Sequence, residues 1–75
     1  MKLDVSEQKF LKRLGLRLRQ LRKEKGWTLE DAEEHGWPNW RHLQKIEAGK
    51  NVTILTLRRA AELYGVDLSE LFKEN

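Results

Sequence analysis

The sequence predicts an all-α fold, a compact bundle of five short helices that forms one domain over residues 1–75. Apolar residues recur at spacings of three and four, which is typical of helices with one buried face. The five glycines fall singly and there is one proline, Pro38, a pattern that indicates brief turns between the helices. Signals for β-strands are absent, and a chain of 75 residues has room for one modest core.

The first helix is expected to begin after Ser6 and to end at Gly26. Ser6 is the predicted N-cap, and Val5 and Phe10 on either side of it have the spacing of a hydrophobic staple. A stripe of four apolar residues is predicted to face the core, namely Phe10, Leu14, Leu18 and Leu21. The basic residues expected on the outer side are Lys12, Arg13, Arg19 and Lys23.

A short second helix is expected to begin after Thr28. The Thr28 hydroxyl can accept hydrogen bonds from the amides of the next turn, and Glu30 and Asp31 suit the positive end of the helix dipole. Gly36 is suited to a left-handed C-terminal residue, and Pro38 cannot continue a helix from the inside. The second helix is therefore predicted to be short.

Two further helices are predicted from an N-cap residue at the start and a glycine at the end. Asn39 is expected to cap a third helix over residues 40–48, which closes at Gly49. Thr53 is expected to cap a fourth helix that runs to Gly65.

A final short helix is predicted after Asp67. Asp67 and Glu70 have the spacing of a capping box, and Leu68, Leu71 and Phe72 follow within one turn. This segment completes the count of five helices.

The basic residues are concentrated at the start of the chain. Residues 1–25 hold nine of the fifteen lysines and arginines and three acidic residues, whereas residues 26–38 hold four acidic residues and no lysine or arginine. Such segregation can build a basic face on a protein whose net charge is only +3. The alternative is that these residues simply solvate the helices.

Several classes of function find no candidate residues. No apolar run approaches the roughly 18 residues that span a bilayer, no secretion signal is recognised in residues 1–5, and there is no cysteine. His35 and His42 have no further ligand at a metal-binding spacing, and neither a nucleophile with a base nor a phosphate-binding loop is recognised. We therefore expect a cytoplasmic protein without enzymatic activity, cofactor, metal or membrane partner.

Four segments together resemble the phage repressor and Cro-like (XRE-type) family of helix-turn-helix transcriptional regulators. They are residues 14–26 (LGLRLRQLRKEKG), 27–28 (WT), 45–49 (KIEAG) and 52–72 (VTILTLRRAAELYGVDLSELF). The length and residues 51–57 (NVTILTL) are also similar to those of the small controller proteins of restriction-modification operons and of stand-alone phage Cro-type repressors. The resemblance implies a lambda-repressor-like DNA-binding domain with its helix-turn-helix at about residues 28–48. It also implies a prokaryotic or phage regulator associated with the nucleoid.

In this family the third helix enters the major groove of DNA. With Leu43 and Ile46 on the buried side, about 100° of rotation per residue places Arg41, Lys45 and Ala48 on the outer side and Gln44 near it. Arginine and lysine can donate to guanine, and glutamine and asparagine can pair with adenine. The residues expected to contact bases or phosphates are Thr28, Asn39, Trp40, Arg41, Gln44, Lys45, Lys50 and Asn51. Each of them could instead be an ordinary solvated surface residue.

Trp40 lies between the core side and the outer side of the third helix, so its spacing leaves three alternatives open. Its ring could pack against the second helix, contact a thymine methyl or a sugar, or bind a protein partner.

The resemblance also implies a salt bridge within the scaffold, and the apolar residues near the end of the chain predict a dimer. Arg22 and Glu47 match a salt bridge that joins the first and third helices in the family. A homodimer on an inverted repeat is expected, because five residues near the end of the chain offer more apolar surface than one small domain needs: Leu55, Val66, Leu68, Leu71 and Phe72. The alternative is that these residues pack in the core of one chain.

The sequence departs from the family pattern in the second helix. Leu29 stands where the family carries a glutamine that contacts phosphate, and Glu33 stands where a small residue is usual. We expect this helix to end about one residue early, with Trp37 in the apolar position of a longer turn. Together with Trp40, these departures leave open a different function, that of a protein-binding module of antitoxin or adaptor type with weak or no DNA binding.

Overall fold

The computed structural model describes residues 2–73 and contains four α-helices and one 3₁₀ helix in that part of the chain. The α-helices are α1 (Val5–Glu24), α2 (Leu29–Glu34), α3 (Trp40–Glu47) and α4 (Ile54–Tyr64), and the 3₁₀ helix spans Leu68–Phe72. The all-helical fold and the order of the five segments are as predicted, but the fifth segment is not an α-helix. Within these residues, no helix combines the length and the apolar character needed to cross a membrane.

One hydrophobic core joins α1 to all the other segments. Leu18, Leu43 and Leu71 are its most deeply buried large side chains and come from α1, α3 and the 3₁₀ helix. The other members of the core are Leu14, Leu21, Ala32, Trp37, Ile46, Leu57, Ala60, Ala61 and Tyr64. Because α3 packs on both α1 and α2, its position is set by two neighbours.

The start of α1 differs from the prediction. Asp4, and not Ser6, is the N-cap, since its carboxylate accepts a hydrogen bond from the Glu7 amide at 2.8 Å. The Glu7 carboxylate accepts one in return from the Asp4 amide at 2.9 Å, which completes a capping box. Ser6 lies inside the first turn. Val5 is largely exposed, so the expected staple with Phe10 does not hold the helix start.

Phe10 is the second correction in α1. It is 50% exposed, whereas the neighbouring Leu11 is buried. The Phe10 ring stacks on Phe72 of the 3₁₀ helix, with 6.2 Å between the ring centroids. The buried stripe of α1 therefore runs through Leu11, Leu14, Leu18 and Leu21.

The predicted caps of α2, α3 and α4 are confirmed. Thr28, Asn39 and Thr53 each accept a hydrogen bond from an amide of the first turn that follows. The capping box predicted at Asp67 is wrong, because the Asp67 side chain makes no capping hydrogen bond. The Glu70 carboxylate instead lies 2.7 Å from the Lys73 ammonium and 3.3 Å from the Arg17 guanidinium.

A close approach between α1 and α3 depends on Gly15. A Cβ atom added at Gly15 would lie 2.5 Å from the carbonyl oxygen of Glu47 and 2.6 Å from that of Ile46. Both distances are shorter than any ordinary contact, and both involve backbone atoms that cannot swing away. The backbone of α1 therefore rests directly on the C-terminal turn of α3.

Candidate nucleic-acid interface

The outer face of α3 is open to solvent. Leu43 and Ile46 point into the core, as the predicted rotation requires. The residues on the opposite side, Arg41, Gln44, Lys45 and Ala48, are all exposed. Within residues 2–73 the side chains of Gln44 and Lys45 make no hydrogen bond or ion pair. The Gln44 amide and the Lys45 ammonium are therefore available as hydrogen-bond donors to an external ligand.

The N-terminus of α3 is held by two side chains. The Asn39 side-chain oxygen accepts a hydrogen bond from the Arg41 amide, and the Glu33 carboxylate accepts one from the Trp40 amide, both at 2.8 Å. Glu33 therefore has a role that the sequence analysis missed. Its spacing of seven residues from Trp40 is not that of a helix cap, so only the fold reveals the contact.

The turn between α2 and α3 explains how the fold accepts Glu33. Ala32 is fully buried and provides the small residue at which α2 approaches its neighbours. Helix α2 ends at Glu34 and Trp37 is buried in the core, as expected for a shorter helix and a longer turn. The carboxylate of Glu33 can then point outward to the start of α3.

Trp40 lies half-buried at the edge of the outer face. The centre of the Arg41 guanidinium lies 4.8 Å from the centroid of the Trp40 ring, a cation–π geometry. The structure thus adds a fourth alternative to the three that the sequence leaves open, in which Trp40 supports the side chain of Arg41.

The remaining candidate contacts flank α3. Lys50 and Asn51 are exposed in the loop that follows Gly49, and the Asn51 side chain accepts a hydrogen bond from the Val52 amide at 2.9 Å. Thr28 is exposed at the start of α2, where its hydroxyl accepts from the Asp31 amide at 3.0 Å. Hydrogen bonds from the Thr28 backbone and hydroxyl lower the pKa of Asp31 below its usual value.

Arg22 and Glu47 join α1 to the end of α3. The Arg22 Nε and Nη2 atoms donate to the two carboxylate oxygens of Glu47, each at 2.8 Å, and Nη1 donates to the Trp27 carbonyl oxygen at 2.8 Å. Both side chains are more than nine-tenths buried. The hydrogen bonds to Glu47 raise the pKa of Arg22 above its usual value. This pair supports the surface from beneath and does not form part of it.

The five residues expected in a dimer interface are not equivalent. Leu55 and Phe72 are 64% and 43% exposed, and Val66 and Leu68 are half-buried. Leu71 is only 1% exposed and belongs to the core, so its assignment to an interface was wrong. The 3₁₀ helix turns Leu71 inward against α1 and leaves Phe72 at the surface. Ile54, next to Leu55, is also exposed and was missed.

The three residues that left a protein-binding function open each have a contact within the fold. Leu29 packs against the core, Glu33 holds the start of α3, and Trp40 contacts Arg41. They therefore give no specific support to a protein-binding module. The imidazoles of His35 and His42 stack on Trp27 and Trp37, and residues 2–73 contain no cluster of three or more potential metal ligands.

Comparison with known families identifies the general class of the domain. A family model described as a helix-turn-helix domain matches residues 15–75, a span that begins within α1 and includes α2, α3 and α4. No curated protein and no solved structure matches the chain.

Proposed function

Because the chain belongs to this helix-turn-helix family of DNA-binding regulatory domains, we propose that it is a small dimeric transcriptional regulator that binds double-stranded DNA sequence-specifically. The finer assignment, to phage Cro-like repressors or to restriction-modification controllers, is part of this proposal. The family is not one of enzymes.

The observation that carries the proposal is the exposed outer face of α3. Eight residues of helix are about 12 Å long, and the major groove is about 12 Å wide and admits an α-helix. Arg41 and Lys45 present donors suited to guanine O6 and N7, and Gln44 presents an amide suited to the adenine edge. Asn39 lies exposed at the tip of the helix, where its amide group already caps the first turn.

Phosphate contacts would come from both sides of α3. Lys50 and Asn51 are exposed just beyond its C-terminus, and Thr28 is exposed at the start of α2. Such contacts fix the position of a protein on the duplex, whereas contacts to base edges select the sequence. We therefore assign α3 to base recognition and these three residues to anchoring.

Two copies of the chain would bind an inverted repeat. Half-sites one helical turn apart are separated by about 34 Å, and a two-fold symmetric dimer places both α3 helices in successive major grooves. The exposed Leu55 and Phe72, with the half-buried Val66 and Leu68, are the apolar residues we propose for the dimer interface. Replacement of Leu55 by aspartate is expected to shift the protein to a monomer in analytical ultracentrifugation.

The proposal is tested by selecting bound sequences from a random pool of duplexes and sequencing them. We expect an inverted repeat to be enriched. A triple variant, with Arg41, Gln44 and Lys45 all replaced by alanine, should lose this preference while it melts at the temperature of the wild type.

A control variant matches the loss of charge. Replacing Arg58 and Arg59 of α4 by alanine also removes two positive charges from exposed positions, and we expect it to keep the base preference. If the triple variant binds the selected duplex as tightly as the wild type, α3 is not the recognition element and the proposal fails.

A further inference from the structure

A shallow depression adjoins the outer face of α3. Residues of α1, α2 and α3 and the residue just after α3 line it: Arg19, Arg22, Leu29, Gln44, Glu47 and Ala48. Gln44 and Ala48 also belong to the outer face, so a ligand that covers this face also covers the depression.

Arg19 dominates the electrostatics of the depression. Arg22 and Glu47 neutralise each other through their two hydrogen bonds, and the side chain of Leu29 carries no polar group. Arg19 is exposed and, within residues 2–73, makes no hydrogen bond or ion pair. Arg17 lies on a different side of α1 and, by contrast, makes a hydrogen bond and an ion pair with Glu70. Arg19 therefore carries an unneutralised guanidinium at the edge of the recognition surface.

Neighbouring charges on α1 strengthen this feature. Lys12 and Lys23 lie seven residues before and four residues after Arg19, spacings that place all three on the same side of the helix. Both lysines are exposed. This side of α1 also meets the loop after α3, since a Cβ atom added at Gly49 would lie 2.9 Å from the Lys12 Cγ.

We propose that Arg19 and this depression form a binding site for a phosphodiester group of the DNA backbone, beside the major groove that α3 enters. The inference rests on the proposed function and extends it to α1. A planar guanidinium can donate two parallel hydrogen bonds to a phosphate. Because phosphates carry no sequence information, Arg19 contributes affinity without base preference.

The test measures the affinity of the full chain for its selected duplex and for a random duplex at several salt concentrations. Each lost phosphate contact lowers the slope of log affinity against log salt by about 0.9, hence by about 1.8 for a dimer with two Arg19 residues. We expect Arg19→Ala to show this smaller slope on both duplexes. At 0.1 M salt its affinity for DNA should be roughly fivefold to tenfold lower for each Arg19 that is removed. Arg19→Lys should retain most of the slope.

Arg59→Ala is the matched control, since it removes the same charge from an exposed position on α4 where, as at Arg19, the described residues provide no ion-pair partner. It should leave the slope unchanged, and all variants should melt like the wild type because both arginines are exposed. A second readout replaces single phosphates of the selected duplex by neutral methylphosphonates. At one phosphate in each half-site, this replacement should weaken DNA binding by the wild type and leave DNA binding by Arg19→Ala unchanged.

The outcomes separate the two proposals. If the wild type binds no duplex, both the proposed function and this phosphate site are wrong. If the wild type binds and Arg19→Ala retains the wild-type slope, Arg19 only solvates α1 and the phosphate site alone is wrong.

Discussion

The guanidinium of Arg22 and the carboxylate of Glu47 meet through two parallel hydrogen bonds of 2.8 Å beneath the surface that α3 presents. The resemblance to Cro-like regulators implied this pair, and its geometry shows why neither residue is free for DNA. Both are buried, and each satisfies the charge of the other.

Glu47→Ala is therefore expected to lower the free energy of unfolding by about 3 kcal/mol or more, because the buried Arg22 would lose its counter-charge. Chemical denaturation measures the change. The matched control is Glu62→Ala, which removes the partner of Arg58 in an exposed ion pair and should cost less than about 1 kcal/mol. Equal losses in the two variants would contradict a structural role for the buried pair.

Gly15→Ala is expected to destabilise the protein by about 1–3 kcal/mol, although alanine normally favours a helix. The added Cβ would collide with two backbone carbonyls of α3 and push the two helices apart. Leu16→Ala, at the exposed neighbouring position, should change stability by less than about 0.5 kcal/mol. A Gly15→Ala protein that melts above the wild type would show that α1 and α3 are farther apart than described.

Glu33→Ala is expected to cost about 1 kcal/mol, the usual effect of removing a side chain that caps a helix start. The Trp40 amide would lose its acceptor at 2.8 Å. Glu34→Ala removes an adjacent exposed carboxylate and should change the midpoint of thermal unfolding much less. Glu33→Gln keeps an acceptor oxygen, so its midpoint of thermal unfolding should lie between those of Glu33→Ala and Glu34→Ala. Similar midpoints for Glu33→Ala and Glu34→Ala would argue against the cap.

Trp40 and Arg41 are expected to act together in DNA binding. Arg41→Ala should reduce discrimination at one base pair by about 1–3 kcal/mol, and Trp40→Ala by about 0.5–1 kcal/mol through loss of the cation–π contact. In the Arg41→Ala background, Trp40→Ala should have no further effect on that base pair. Additive losses in this double-mutant cycle would mean that Trp40 contacts DNA independently.

Acid should destabilise the start of α2. The pKa of Asp31 is lowered in the folded state, so its contribution to stability is present above its unfolded pKa of about 4 and is lost as pH falls through the folded value. Asp31→Asn should therefore lower the melting temperature near pH 6. Below pH 4, the melting temperature of this variant should fall less steeply with pH than that of the wild type. Asp67→Asn is a suitable control, because the Asp67 side chain makes no capping hydrogen bond. Parallel pH profiles for Asp31→Asn and the wild type would refute this prediction.

Local chemistry was sufficient to predict the starts of α2, α3 and α4. Thr28, Asn39 and Thr53 cap the helices that follow them, because a cap depends only on a few consecutive residues. The start of α1 was misplaced by two residues because Asp4 and Ser6 are both good N-caps.

Tertiary packing decided what periodicity could not. Phe10 and Leu11 both fit a helical stripe with Leu14, and only the folded structure shows that Leu11 is buried while Phe10 stays half exposed and stacks on Phe72. The 3₁₀ helix buries Leu71, which sequence reasoning had placed on a dimer surface. The outer face of α3 was predictable because Leu43 and Ile46 define its buried side without reference to other segments.

The backbone contact at Gly15 bears on how such a protein could acquire a new target sequence. Because α3 is seated on the main chain of α1, its orientation does not depend on the side chains at Arg41, Gln44 or Lys45. In the proposed mode of binding, exchanges at those three positions would alter which bases are preferred while the angle of insertion stays the same. Divergence of operator preference would then proceed by single substitutions, without a compensating change in the scaffold.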